Sequence, residues 1–359
     1  MESNLKYSLF ALFFMTLALI MNSCSDWTIP ESLDLKNPSL GERNPQLYAD
    51  YIKDLNKYKA GEHKITVVSF ENSKESPTGQ QERLTTIPDS IDFICLNNPN
   101  NISYETQDEM IEIRKKGTRT VYIMSYENFE KDWKEMVKEN PTLTEEQELV
   151  YLDKCTDDML ALCDKYNYDG IMVDYTGRSL VSLKEEDLMR YNKRQQTFFN
   201  KVMSWREKHG DKTLMFYGNV QYLVPGNMSM LKKYNYIVLK SALSTNGDDL
   251  TVKSLLALQA GEDVKNALYE GVNPVPADRF MACVELPQAD DQTFTKGYWN
   301  TVDASGNKIT ASRGAAQWMV QSSPDFTRSG IFIMNVQNDY YNNTYGYLRE
   351  AICIMNPNK

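Results

Sequence analysis

Tyr168-Asp169-Gly170-Ile171-Met172-Val173-Asp174-Tyr175-Thr176-Gly177 decides the fold of this 359-residue chain. Four residues of aliphatic and aromatic character, Ile171, Met172, Val173 and Tyr175, broken only by Asp174, follow an Asp-Gly step and run into a polar turn. Along a strand, residues i, i+2 and i+4 point to one side. Met172, Asp174 and Thr176 are therefore expected on one face, and Ile171, Val173 and Tyr175 on the other. A strand apolar on both faces belongs to a parallel sheet covered by helices.

Seven further runs have the same character. With 170–175 they lie at 65–70, 91–96, 120–125, 214–219, 236–240, 280–286 and 330–336. Helical spacing fills several gaps between them. Leu152, Cys155, Met159, Leu162, Cys163 and Tyr166 recur at i, i+3, i+4 before the fourth run, and Leu188, Tyr191, Phe198, Val202 and Trp205 after it. Tyr48, Tyr51, Ile52, Leu55 and Tyr58 make an opening helix stopped by Gly61. Strands alternating with helices imply an α/β fold with parallel strands. Eight such units predict a closed (β/α)8 barrel, or TIM barrel, over 45–359. No Gly-x-Gly-x-x-Gly follows the first strand, so a dinucleotide site is not supported. One insertion, 288–310, carries Tyr298-Trp299 and then Asp303-Ala304-Ser305-Gly306-Asn307, the pattern of a protruding hairpin.

The stretch at 169–176 resembles the signature of glycoside hydrolase family 18, Asp-Gly-x-Asp-x-Asp-x-Glu, which closes the fourth strand of a (β/α)8 barrel. Asp169, Gly170 and Asp174 match. Met172 stands in place of the first inner Asp, and Thr176 in place of the catalytic Glu. The resemblance implies a site where the Glu protonates the leaving oxygen, the substrate's acetamido oxygen attacks, and the Asp at 174 orients that acetamido group. A threonine hydroxyl is no general acid near neutral pH. The sixth strand departs again: a Met-x-Tyr-Asp-like ending is expected, and Ile237-Val238-Leu239-Lys240-Ser241 is present. The resemblance is closest to the endo-β-N-acetylglucosaminidase-like branch, often lipoproteins of glycan-uptake systems.

Barrel sites sit at the C-terminal ends of the strands. Those ends supply Glu71, Asn72, Asn97, Asn98, Tyr126, Glu127, Asp174, Thr176, Asn219, Gln221, Lys240, Glu285, Asn335, Gln337 and Asn338. Amides and hydroxyls dominate, the hydrogen-bonding chemistry that suits a carbohydrate. Tyr126, Tyr298 and Trp299 are the expected stacking surfaces. The resulting expectation is a binding protein for N-acetylglucosamine-containing glycans such as N-glycans, with impaired catalysis. Two alternatives stay open: an active endoglycosidase with its acid relocated to Glu127 or Glu285, and a scaffold of a glycan-uptake complex that binds no sugar.

Composition is ordinary for a globular chain, with 42% hydrophobic and 25% charged residues. The net charge of −10 argues against a nucleic-acid partner, which would require a basic face. No cofactor is implied. His63 and His209 are the only histidines, no Cys-x-x-Cys exists, and a zinc site is not expected. Cys95, Cys155, Cys163, Cys283 and Cys353 are read as buried structural thiols. At the N-terminus, Lys6 and the apolar run 8–21 form a signal peptide, and Asn22-Ser23-Cys24 resembles a loose lipobox. That implies a signal over 1–23, acylation of Cys24, a flexible tether over 24–44 and a bacterial lipoprotein of the outer membrane, facing the cell surface among other glycan-uptake lipoproteins.

Overall fold

The computed structural model describes residues 40–290 and 293–357. The expected signal peptide, Cys24 and most of the tether lie outside the described residues. Two units divide the chain, Met1–Asp50 and Tyr51–Lys359. At the end of the expected tether, Leu40–Arg43 form one helical turn. Helix α1 (Pro45–Ala60) follows.

Eight strands close a parallel barrel: β1 (Ile65–Phe70), β2 (Phe93–Leu96), β3 (Arg119–Ser125), β4 (Gly170–Tyr175), β5 (Thr213–Gly218), β6 (Tyr236–Leu239), β7 (Phe280–Glu285) and, after the inserted hairpin β8 (Tyr298–Val302) and β9 (Lys308–Thr310), β10 (Arg328–Met334). Their order around the barrel is β1-β10-β7-β6-β5-β4-β3-β2. The chain is therefore a (β/α)8 barrel, with β4 spanning the residues that its apolar pattern marks. Helices α2 (Tyr104–Lys115), α3 (Tyr126–Glu139), α4 (Glu145–Lys165), α5 (Glu185–Lys208), α6 (Gly247–Leu268), α7 (Ala311–Met319) and α8 (Gly346–Met355) supply the outer layer. Two connections depart from the ideal pattern. Short 3₁₀ turns at Gln80–Glu82 and Leu84–Thr86 join β1 to β2, and Val220–Tyr222 with Pro225–Lys233 join β5 to β6.

Two apolar layers hold the barrel. Inside it, Val67, Phe93, Cys95, Val121, Met172, Met215, Val238, Met281, Cys283 and Phe332 fill the axis. Between barrel and helices, Ile171, Val173 and Tyr175 pack with the apolar faces of the helices, among them Tyr191, Phe198 and Val202 of α5. The alternation along β4 thus places Met172 on the axis and its neighbours outward. Where the signature's first inner carboxylate would stand, the barrel has an apolar plug.

The first half of the signature is structural. Asp169 accepts from the Thr120 N–H at 2.8 Å and from Arg114 Nε at 3.0 Å, tying β4 to β3 and α2. Gly170 is required by close approach: a Cβ there would meet the Thr213 carbonyl oxygen of β5 at 2.0 Å. Strand pairing with β5 leaves no room for a side chain.

The insertion forms the expected hairpin, β8 antiparallel to β9, closed through the Asp303–Asn307 turn. Its Trp299 is not displayed. Only 5% exposed, the indole lies against Gly314 of α7. The cysteines among the described residues are free, with Cys95, Cys163 and Cys283 buried, Cys155 half-buried and Cys353 exposed, so the expectation of buried thiols fails at Cys353.

Candidate functional site

Asp174 and its strand-opposite neighbour Ser125 face the axis at the C-terminal end of the barrel, registered across β3 and β4. Ser125 thus stands beside the Asp174 carboxylate across the β3–β4 pair. From β6, across the intervening β5, Lys240 reaches the same carboxylate and forms an ion pair with its Oδ1. The Lys240 ammonium also stands over the Tyr217 ring, 3.7 Å from its centre. A cation over an aromatic face gains from the ring quadrupole, more so when water is excluded. The pair is largely shielded, with side-chain exposures of 18% for Asp174 and 20% for Lys240. Burial pushes the Asp174 carboxyl above the usual aspartate range, and the Lys240 charge and hydrogen bond pull against it. The net direction is upward.

Thr176 follows β4 directly. Its backbone is clamped on both sides: its N–H donates to Glu127 Oε1 at 2.6 Å, and its carbonyl accepts from Asn219 Nδ2 at 2.9 Å. The next N–H, of Gly177, also donates to Glu127 Oε1, at 3.0 Å. Gly177 has φ +63°, in the left-handed region that favours glycine. Behind the turn, the Tyr191 hydroxyl accepts from the Arg178 N–H and the Tyr175 hydroxyl, and donates to the Tyr222 carbonyl. The loop after β4 is thereby fixed to α5 and to the loop after β5. Thr176, held in this rigid turn, carries a hydroxyl where the sequence resemblance implies a glutamate.

Glu127 sits in the first turn of α3. Oε1 is occupied by the two N–H groups, and Oε2 is buried without a partner. Burial, and behind it the Asp174 charge, raises its carboxyl above the usual glutamate range, against the backbone hydrogen bonds that lower it. Glu285, at the end of β7, accepts from Asn335 Nδ2 at 2.8 Å. Asn335 in turn donates its N–H to Ser69 Oγ on β1 at 2.8 Å. Gln337 follows in a 3₁₀ turn, its Oε1 buried and unpartnered, and Gln221 is half-buried in the turn after β5.

Of the side chains expected at the mouth, Asp174, Lys240 and Glu127 thus converge around the end of β4, with Ser125 beside them. Two expected stacking surfaces are corrected. Tyr126 is the first residue of α3, one past the end of β3, and points into the helix layer against Tyr175 and Phe198 at 5.0 and 5.2 Å between ring centres. It is 1% exposed. Trp299 is buried beneath the hairpin, as described above. Tyr298 is half-buried, with the Phe294 ring edge-on at 5.2 Å. Two residues of the site were not anticipated, Ser125 and Tyr217; both lie on the inward face at strand ends, which the two-residue alternation of β3 and β5 could have marked. Among the described residues no group of His, Cys, Asp and Glu side chains is placed to hold a metal ion.

A closed eight-stranded parallel barrel with its polar cluster at the strand C-termini is a (β/α)8 barrel with its candidate site on the face where barrel proteins carry theirs. The chain belongs to glycoside hydrolase family 18, in its BT1044-like group, whose family model matches residues 28–354. Among solved structures it is similar to a Glu-to-Gln variant of BT1044, with a TM-score of 0.62 at 15% identity over 89% of this chain and 96% of that one. It is also similar to the endo-β-N-acetylglucosaminidase from Cordyceps militaris, with a TM-score of 0.56 at 15% identity over 85% and 95% of the two chains. At such identities the likeness concerns the fold. No curated protein sequence matches the chain.

Proposed function

We propose that this protein binds N-acetylglucosamine-containing glycans, such as N-glycans, at the mouth of its barrel and does not hydrolyse them efficiently. The reading is carried by one observation: the acid position holds Thr176, while the neighbouring Asp174 is ion-paired to Lys240. Loss of a general acid typically costs ~10²–10⁴ in rate. Asp174, partly open at the mouth, retains an acceptor for an acetamido N–H.

A relocated acid is the weaker reading. Glu127 has the raised proton affinity that an acid needs, yet Oε1 is spent on two backbone N–H groups and Oε2 is closed to solvent. A general acid must come within hydrogen-bond reach of the leaving oxygen. Glu285 is engaged by Asn335. Family membership and the likeness to an endo-β-N-acetylglucosaminidase support a glycan as the ligand. The lipobox-like Asn22-Ser23-Cys24 supports attachment to the outer membrane through Cys24, displayed at the surface with other glycan-uptake lipoproteins.

The test pairs binding with turnover on N-glycans and chitooligosaccharides. Calorimetry should show binding that weakens about tenfold or more in Asp174→Ala, as expected for a charged hydrogen bond of ~1.5–3 kcal/mol. Wild type should release no product, and Thr176→Glu no more than a trace. Strong wild-type turnover that survives Thr176→Ala and disappears in Glu127→Gln or Glu285→Gln would establish the relocated-acid enzyme instead.

A further inference from the structure

At the N-terminal end of the barrel, opposite the Asp174 cluster, the loop between α1 and β1 carries a buried imidazole. The His63 side chain is 1% exposed and that of Asp92, just ahead of β2, 3%. Both ring nitrogens face oxygen. Nδ1 lies 2.8 Å from the Gly61 carbonyl oxygen, and Nε2 lies 2.7 Å from Asp92 Oδ1. Asp92 is itself fixed: its Oδ2 accepts the Thr66 N–H at 2.8 Å, its N–H donates to the Thr66 carbonyl, and its carbonyl accepts from the Arg119 N–H. The carboxylate is thereby pinned to β1 and β3, and His63 reaches it from the end of α1.

A neutral imidazole has one N–H and one lone pair. A carbonyl oxygen has no proton to offer that lone pair. The proton between Asp92 and His63 belongs to the stronger base, which is the imidazole. In either neutral tautomer one ring nitrogen would face an acceptor at 2.7–2.8 Å without a proton between them. The imidazolium donates to both. Gly61 follows directly on α1, and the C-terminal carbonyls of a helix favour a cation.

The neighbouring charges act in both directions. The Tyr58 ring lies 4.6 Å from the imidazole, centre to centre, and burial pushes its hydroxyl up to about 12, so it stays protonated. Lys59, in the same turn, donates to the Ile91 carbonyl at 2.6 Å and to Thr118 Oγ1 at 2.5 Å. Burial lowers its ammonium to about 8, against the attraction of Asp92 and Asp89, with Lys116 and Arg119 adding positive charge. Asp89 is taken by the Tyr51 hydroxyl and Lys116. Tyr236, at the start of β6, is raised by burial and by Asp92 and carries no charge here. Glu62 and Lys64 flank His63 in the chain, and Lys64 donates to the Arg328 carbonyl. Lys59 is thus the cation that competes most directly for Asp92, and it is the one whose charge burial weakens.

We propose that His63 is an imidazolium at neutral pH and that its second proton is a latch, holding the end of α1 to the floor of the barrel and releasing it on the alkaline side. The folded chain keeps this proton above the value of ~6.5 at which an exposed histidine gives it up. The stability it contributes is complete below that value and is lost as pH rises through the folded one. Lys59 acts in the opposite sense, because the folded chain releases its proton before the unfolded chain does. Global stability mixes the two effects, so the ring itself is the readout.

Long-range proton–nitrogen NMR correlations distinguish an imidazolium from each neutral tautomer. The protein has two histidines, and His209→Gln assigns their signals. His63 should be an imidazolium at pH 7.5, with a midpoint at least about one pH unit above ~6.5, and Asp92→Asn should lower that midpoint by at least about one unit. The Gly61 N–H, which donates to the Lys57 carbonyl at 3.1 Å, reports on the latch. Corrected for the intrinsic effect of pH, its hydrogen exchange should quicken about tenfold in His63→Gln, and likewise in wild type as the ring loses its proton. A neutral His63 ring at pH 7.5 in wild type overturns the proposal, whether or not the variants fold. A midpoint that Asp92→Asn leaves in place, or Gly61 exchange indifferent to the charge on the ring, overturns it as well.

Discussion

Replacing Lys240 with methionine isolates the charge that neutralises Asp174. The methionine keeps an aliphatic stem over the Tyr217 ring and removes only the ammonium. What remains is a carboxylate 18% exposed, with Ser125 beside it across the β3–β4 pair. Removing one partner of a fully buried pair costs ~3–5 kcal/mol, whereas exposed pairs contribute ~0–1 kcal/mol. With both side chains about four-fifths shielded, this pair belongs near the buried limit, and Lys240→Met should destabilise the fold by about 3 kcal/mol at pH 7.5. The cost should depend on pH in one direction. Burial already raises the Asp174 carboxyl, and loss of the ammonium raises it further. Between its unfolded and raised folded values, the folded state holds a proton that the unfolded state has released, so stability falls as pH rises through that window. Urea unfolding of the variant at pH 7.5 and pH 5 should therefore show a smaller deficit at the lower pH. The double variant Lys240→Met, Asp174→Asn should recover most of the loss at pH 7.5. A deficit that is the same at both pH values, or that the second substitution does not relieve, would refute the claim that the ammonium acts through Asp174.

Glu127→Gln keeps an oxygen for the Thr176 and Gly177 N–H groups and removes the buried charge. Because burial raises the Glu127 carboxyl, wild type should lose stability as pH rises through its folded value; the glutamine variant should lack that slope and gain on wild type from pH 4.5 toward 7, measured by urea unfolding across the range. Cys24→Ala should release the protein from membranes, since each acyl CH₂ buried contributes ~0.8 kcal/mol. A palmitate analogue that leaves Cys24 unlabelled in cells would sink that assignment.

The fold was legible because its information is local and periodic. Met172 inward and Ile171, Val173 and Tyr175 outward follow from a two-residue repeat that packing on both faces enforces. The same repeat identified Asp174 as facing the mouth. It failed at Tyr126, because β3 ends at Ser125 and the helix begins with the next residue. Once the pleat gives way to a helical turn, strand parity no longer predicts direction, and Tyr126 enters the outer core. Trp299 was misplaced for a different reason. An inserted hairpin has no periodic face in sequence, and whether its indole packs inward depends on the bare Gly314 backbone of a helix that follows it.

The pairing of Lys240 with Asp174 lay beyond local reading altogether, since β5 separates their strands and only barrel closure brings their inner faces together. Yet the two departures from the family pattern, at the ends of β4 and β6, acquire a common physical sense once they are adjacent. On the proposed reading, Thr176 stands where the group that would protonate a leaving sugar is expected. Lys240 compensates the carboxylate that would otherwise be buried beside Glu127 with a second negative charge nearby. Restoring a glutamate at 176 alone would place a third carboxyl in this cluster, with one lysine to offset it, and its proton would be held at the raised affinity of a crowded acid site. Any activity recovered by Thr176→Glu should therefore favour acidic pH, and adding a substitution at Lys240 should lower it further rather than restore it. A Thr176→Glu, Lys240→Tyr protein more active than Thr176→Glu would show instead that the lysine obstructs the substrate and does not merely balance charge.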